Sequence, residues 1–158
     1  MQDARFEDGQ EKSLRLLAQD VEDLNAISAL VQDAVLPVVE MQWDRQTRRF
    51  ALLLNRFRWE DAAAARAGGR PVERVQSVLA IDSVLNLKRS GFDPSEKDQV
   101  ISLLGLSFEA GEDGSGRIVL TLAGDGAIAA EVECVDMTLT DVTRPYQAIS
   151  GQTPRHPD

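Results

Sequence analysis

Apolar residues along this chain recur mostly at every second position, and at helical spacing in only two places. Leu14, Leu16 and Leu17 outline a short first strand. Val21, Leu24, Ile27, Leu30 and Val31 then follow the spacing of one helical face, which predicts an amphipathic helix over about residues 21–33. Asp20 suits its N-cap, Glu22 and Asp23 suit the positive first turn, and Pro37 bars continuation. Val38 to Trp43 and Arg48 to Trp59 read as a hairpin around the turn at residues 44–47. Phe50 to Leu54 is apolar on both faces, as a central, covered strand would be.

The rest of the chain continues this alternation. Residues 60–71 read as a loop holding one helical turn over Ala62 to Ala67. Val75, Ser77, Leu79, Ile81, Leu85 and Leu87 form a long strand, bent near Asp82 and Ser83. Asp93-Pro94-Ser95-Glu96 has the form of a capping box with an early proline, and predicts a second helix carrying Val100, Ile101, Leu103 and Leu104, ended by Gly105. Leu106 to Ala110 and Arg117 to Ala123 flank a glycine-rich tip, and Gly124-Asp125-Gly126 is a tight turn. The final strand, Ala127 to Leu139, changes phase between Cys134 and Val135, which requires a bulge near residues 134–136.

The expected fold class is therefore α+β: a mainly antiparallel sheet with two helices. One domain is expected over residues 14–143, between a disordered N-terminus at 1–13 and an irregular tail at 144–158. The order strand, helix, hairpin, strand is read twice, over 14–82 and 84–139, which suggests two half-repeats related by pseudo-two-fold symmetry.

Composition narrows the class of molecule. Apolar residues make up 43 % of 158 residues, enough to bury a core. No secretory pattern and no membrane-length apolar run is present, and Cys134 is the single cysteine, so the expectation is a cytoplasmic protein without an internal disulfide. The net charge of −9 argues against nucleic acid and anionic lipid as partners. The charge is uneven: residues 45–90 hold ten Lys/Arg against four Asp/Glu, whereas the flanking stretches are acidic.

Catalytic chemistry finds little support. The lone histidine, His156, is the third residue from the end of the given chain, where a general base would lack rigid placement. Cys134 is expected on a buried strand face, flanked by acids that disfavour a thiolate. Glu112-Asp113 lacks the alternating ligands of a calcium loop, and no phosphate-binding glycine motif follows a strand. Glu131 and Glu133 share a face, but pairs of acids are abundant here. No catalytic residue, cofactor or metal site is assigned.

The distinctive constellation is basic and aromatic. Trp43, Arg45, Arg48 and Arg49 surround the first hairpin turn, and Arg56 and Arg58 alternate with Phe57 and Trp59. Arginines in such a row bind carboxylate or phosphate through bidentate hydrogen bonds. The competing reading pairs these arginines with acids on neighbouring strands. The functional expectation is a non-enzymatic binding module that recognises a protein or an anionic small molecule through this hairpin. Its rival is an enzyme that uses carboxylates and arginines without histidine or cysteine.

Four stretches carry a resemblance: LLNRFRWE, the helix DVEDLNAISALVQDAV, the ECVD strand, and the RPY and HPD of the tail. Together they resemble an uncharacterised family of small bacterial proteins, a domain of unknown function. The likeness runs from about Leu14 to Asp158. It implies a bacterial, cytosolic setting and brings no activity, substrate or catalytic residue with it.

Overall fold

The structure is a computed structural model, and it describes residues 13–146. The expected disordered N-terminus, apart from Ser13, and most of the tail, with His156, lie outside these residues. Ten strands form one antiparallel sheet: β1 (Arg15–Ala18), β2 (Ala34–Pro37), β3 (Met41–Asp44), β4 (Arg49–Phe57), β5 (Arg74–Ile81), β6 (Val84–Ser90), β7 (Val100–Ala110), β8 (Gly116–Leu122), β9 (Gly126–Val132) and β10 (Met137–Asp141). Two helices accompany them, α1 (Val21–Leu30) and α2 (Ala62–Ala67).

α1 forms as its sequence dictates. The Asp20 carboxylate accepts from the Asp23 N–H at 2.8 Å, and Leu24 and Ile27 are buried. Three residues past its C-cap, the chain is already in β2. The segment expected as one strand, Val38 to Trp43, is split between a 3-10 turn at Val38–Glu40 and β3.

The strands run in the order β1-β10-β5-β4-β2-β7-β8-β9-β6, with β3 beside β4 off this path. The path turns back on itself. Residues 77–90 and 127–141 run alongside each other, since β5 pairs β10 and β6 pairs β9. Both chains bend at the same place: Asp82 N–H donates to Asp136 O, Glu133 N–H donates to Ser83 O, and Ser83 sits at φ +59. The bends at Asp82–Ser83 and near Cys134 that the sequence predicts are thus one shared corner. It joins the two halves of the sheet around a single core that contains Leu24, Leu36, Leu52, Leu79, Leu103, Leu120 and Leu139. Each such side chain contributes about 1.5–3 kcal/mol on burial.

Two expectations are corrected. The segment expected as a second helix is β7. Asp93 does accept from Ser95 N–H at 2.9 Å, and Glu96 N–H donates to Asp93 O, but these bonds close turns and not a helix. Ile101, Leu103 and Leu106 are buried, and the β7–β8 register shifts between Leu103 and Gly105. That bulge breaks the period of two and imitates helical spacing. The second helix of the fold is the short α2, and the strand–helix order is not repeated in the second half. Cys134 is also not buried: it sits exposed on the corner, where β9 has ended and β10 has not begun.

Candidate functional site

β4 carries Phe50, Leu52 and Leu54 on its inner face, and Arg56 continues that face. Arg56, expected as a candidate for contacting a ligand, is instead buried at the end of the core, as the competing reading of pairing with the protein's own acids requires. Its Nε donates to Ser77 Oγ at 2.9 Å and Nη1 to Phe57 O at 3.1 Å. Nη1 and Nη2 grip Glu60 at 2.8 Å each, and Nη2 also reaches Asp141 at 2.9 Å. Every donor of the guanidinium has a partner within the protein. Burial alone would lower the Arg56 pKa, but Glu60 and Asp141 outweigh it, and the net direction is upward. Ser77 Oγ donates to Asp141 at 2.6 Å, and Leu14 N–H donates to the same carboxylate at 2.9 Å, so the network also anchors β1.

The other hairpin residues divide sharply. Arg58 is withdrawn from solvent and pairs with Glu73 at 2.9 Å and Asp61 at 3.6 Å. Trp59 donates its indole N–H to Gln32 O at 2.8 Å and lies 5.3 Å from the Phe57 ring. Arg74 stacks on the same Phe57 ring at 4.3 Å. Arg48 bridges to Glu133. Arg49 holds Asp82 at 2.8 and 3.2 Å, and that hydrogen bond raises its pKa. Of Glu131 and Glu133, the first faces Lys88 and Arg117 and the second faces Arg48. These groups hold the fold together.

Trp43 and Arg45 go elsewhere. They line a cavity of about 320 Å³ between β3 and β6, floored by Val38, Phe50 and Ile128 and closed at one end by Phe92 and Pro94. Met41 and Trp43 stand opposite Leu52 and Phe50, and Leu87 and Arg89 stand opposite Ala130 and Ile128, so all four share the core-facing side. Met41, Trp43, Leu87 and Phe92 pack on the core while remaining partly exposed. Arg45, Arg89 and Lys97 stand around this apolar floor, and none has a carboxylate within 4 Å among the described residues. Lys88, also on the rim, is engaged with Glu131 at 3.2 Å.

Two exposed aspartate turns shape the ends of this groove. Asp44 accepts from Gln46 and Thr47, and Asp93 accepts from the Ser95 N–H and hydroxyl. The Thr47 bonds hold the Asp44 carboxyl below its ordinary pKa, and the Ser95 bonds do the same for Asp93, aided weakly by Arg89. Lys97 O accepts from Val39 N–H, which ties the segment after β6 to the 3-10 turn before β3.

Arg89 and Lys97 were not singled out from the sequence. The signal for Arg89 was present: it stands two residues after Leu87 and so shares its strand face. Lys97 was masked by the apparent helix. Among the described residues, no group of three or more metal-binding side chains exists and no helix is long and apolar enough to cross a membrane. A comparison with curated proteins returns no match, and neither does one with solved structures. The model of one family, Protein of unknown function (DUF2948), matches residues 14–156.

Proposed function

The chain belongs to the DUF2948 family of proteins of unknown function, and from its geometry we propose that it is a non-enzymatic binding module whose groove takes an anionic group attached to an apolar body. One observation carries this reading. In a chain of net charge −9, three cations without an ion-pair partner among the described residues ring a half-open apolar floor. Ligand cavities combine these elements: mostly apolar lining, a few converging polar groups, and a volume of about 300 Å³ or more. Elsewhere the arginines of the hairpin satisfy acids of the protein itself, which supports the groove over the hairpin as a whole. The rival reading, an enzyme that uses carboxylates and arginines without histidine or cysteine, would be favoured by an arginine such as Arg56 open to a substrate, and Arg56 has no donor left for one. The single cysteine, which excludes an internal disulfide, supports a reducing, cytoplasmic setting.

The test is a titration with 8-anilinonaphthalene-1-sulfonate, a probe that joins a sulfonate to an aromatic body. Saturable binding at one site is expected, weakened by at least about tenfold in the double variant Arg45→Glu, Lys97→Glu. Absent saturation, or an unchanged affinity in the double variant, overturns the reading.

A further inference from the structure

The walls of this groove are strand edges. β3 pairs only with β4, and β6 pairs only with β9, among the described strands. They meet at one end, where Val84 N–H donates to Arg48 O at 2.9 Å across the far edge of β6. At the other end the segment after β6 is tied to the residues before β3 by Val39 N–H and Lys97 O. The two edges therefore run in opposite directions with a slot between them. An unpaired edge presents alternating N–H and C=O groups that can accept another strand.

The cations are placed at the two ends of the slot. Arg45 leaves the β3–β4 turn, near the end where β6 begins, and Arg89 and Lys97 stand where β6 ends. From Leu85, next to the Val84–Arg48 bond, to Arg89 is four residues of β6, or ~13 Å at ~3.3 Å per residue. Between them lie the apolar Met41, Trp43 and Leu87. A ligand matched to this slot is acidic at both ends and apolar in the middle, and it offers main-chain donors and acceptors along its length.

Resting on the binding reading above, the geometry points to an extended peptide segment as the occupant, added to the free edge of β6. Its sequence pattern is acid, any residue, apolar, any residue, acid. Residues two apart in a strand share a face, so the two carboxylates and the apolar side chain all turn inward. The acids meet Arg45 at one end and Arg89 with Lys97 at the other.

The experiment uses the full chain and the acetylated, amidated peptide Thr-Glu-Thr-Val-Thr-Glu-Thr as competitor against the anilinonaphthalene dye. The peptide is expected to displace the dye, and its Gln-for-Glu analogue to do so at least about tenfold more weakly. N-methylation of alternate residues separates edge pairing from simple charge attraction. Methyls on the Glu and Val nitrogens, or on the Thr nitrogens between them, lie along opposite edges of the peptide. One set is expected to abolish displacement, and the other to be tolerated. Dodecanedioate, with two carboxylates and an apolar chain but no peptide groups, is expected to be at least about tenfold weaker than the peptide. If both methylated peptides compete as well as the parent, or if dodecanedioate matches it, strand addition is overturned. A dye that binds and is not displaced by the peptide overturns this inference and leaves the binding reading intact. A dye that fails to bind overturns both.

Discussion

Arg56 Nη2 and Asp141 Oδ1 meet at 2.9 Å with 0 % and 3 % of their side chains exposed, across strands 85 positions apart in the chain. The pair shares Ser77 and lies beside Glu60, so neither charge is left uncompensated. Removing Asp141 leaves Arg56 its Glu60 partner but strands three donors at once: one Nη2 hydrogen, the Ser77 hydroxyl and the Leu14 N–H. Asp141→Ala is expected to lower stability by about 3–5 kcal/mol, read as a fall in the urea midpoint. Arg56→Lys keeps the charge but offers three donors in place of the guanidinium fork, and is also expected to destabilise.

Arg49 and Asp82 provide the contrast. They too are hydrogen-bonded, at 2.8 and 3.2 Å, but the Arg49 side chain is 55 % exposed. Asp82→Ala is expected to cost at most about 1 kcal/mol in the same urea series. A loss as large as that for Asp141 would mean that exposure is a poor guide to ion-pair strength in this fold.

Gly91 links β6 to Phe92 at the closed end of the groove at φ +82, and a Cβ there would fall 2.5 Å from the Gly126 Cα. Gly91→Ala therefore combines left-handed backbone strain with a backbone clash, and is expected to cost more than about 2 kcal/mol. Gly114 has the same φ but nothing within 4 Å of its Cβ position. Gly114→Ala is expected to cost only about 1–2 kcal/mol, from strain alone. Thermal unfolding of the two variants side by side checks the difference.

Asp93 titrates below the ordinary value of 3.8 because the Ser95 hydroxyl and N–H bind its charged form. A depressed folded pKa means stability that is present above 3.8 and lost as the pH falls through the folded value. Ser95→Ala removes the hydroxyl and is expected to move the Asp93 pKa upward, toward 3.8, as followed by carboxyl carbon NMR shifts between acid and neutral pH. An unmoved pKa would show that the hydroxyl bond is not the main cause.

Much of the fold was legible because local rules and tertiary context agreed. Asp20 capped α1 as its position required, the phase change at Cys134 marked a real corner, and Gly124-Asp125-Gly126 turned the chain between β8 and β9. The failures came where local and tertiary signals competed. Asp93 and Ser95 make the turn that a helix start would need, but Val100 to Leu106 is paired by β2 and β8, and pairing on both edges prevailed over the local signal. The inward turn of Arg56 was hidden because its partners, Ser77 and Asp141, come from distant strands. Half the groove was visible in Trp43 and Arg45. The rest required knowing that β3 and β6, with no pairing between them, end up as facing walls.

The two tryptophans give the most direct measurement. Trp43 lines the groove, while the indole of Trp59 is bonded to Gln32 O outside it. Following both indole N–H signals by NMR during titration with 8-anilinonaphthalene-1-sulfonate, the binding account predicts a saturable shift of Trp43 with Trp59 unmoved. A Trp43 signal that stays in place while the dye binds, or one that moves only together with Trp59, would contradict it.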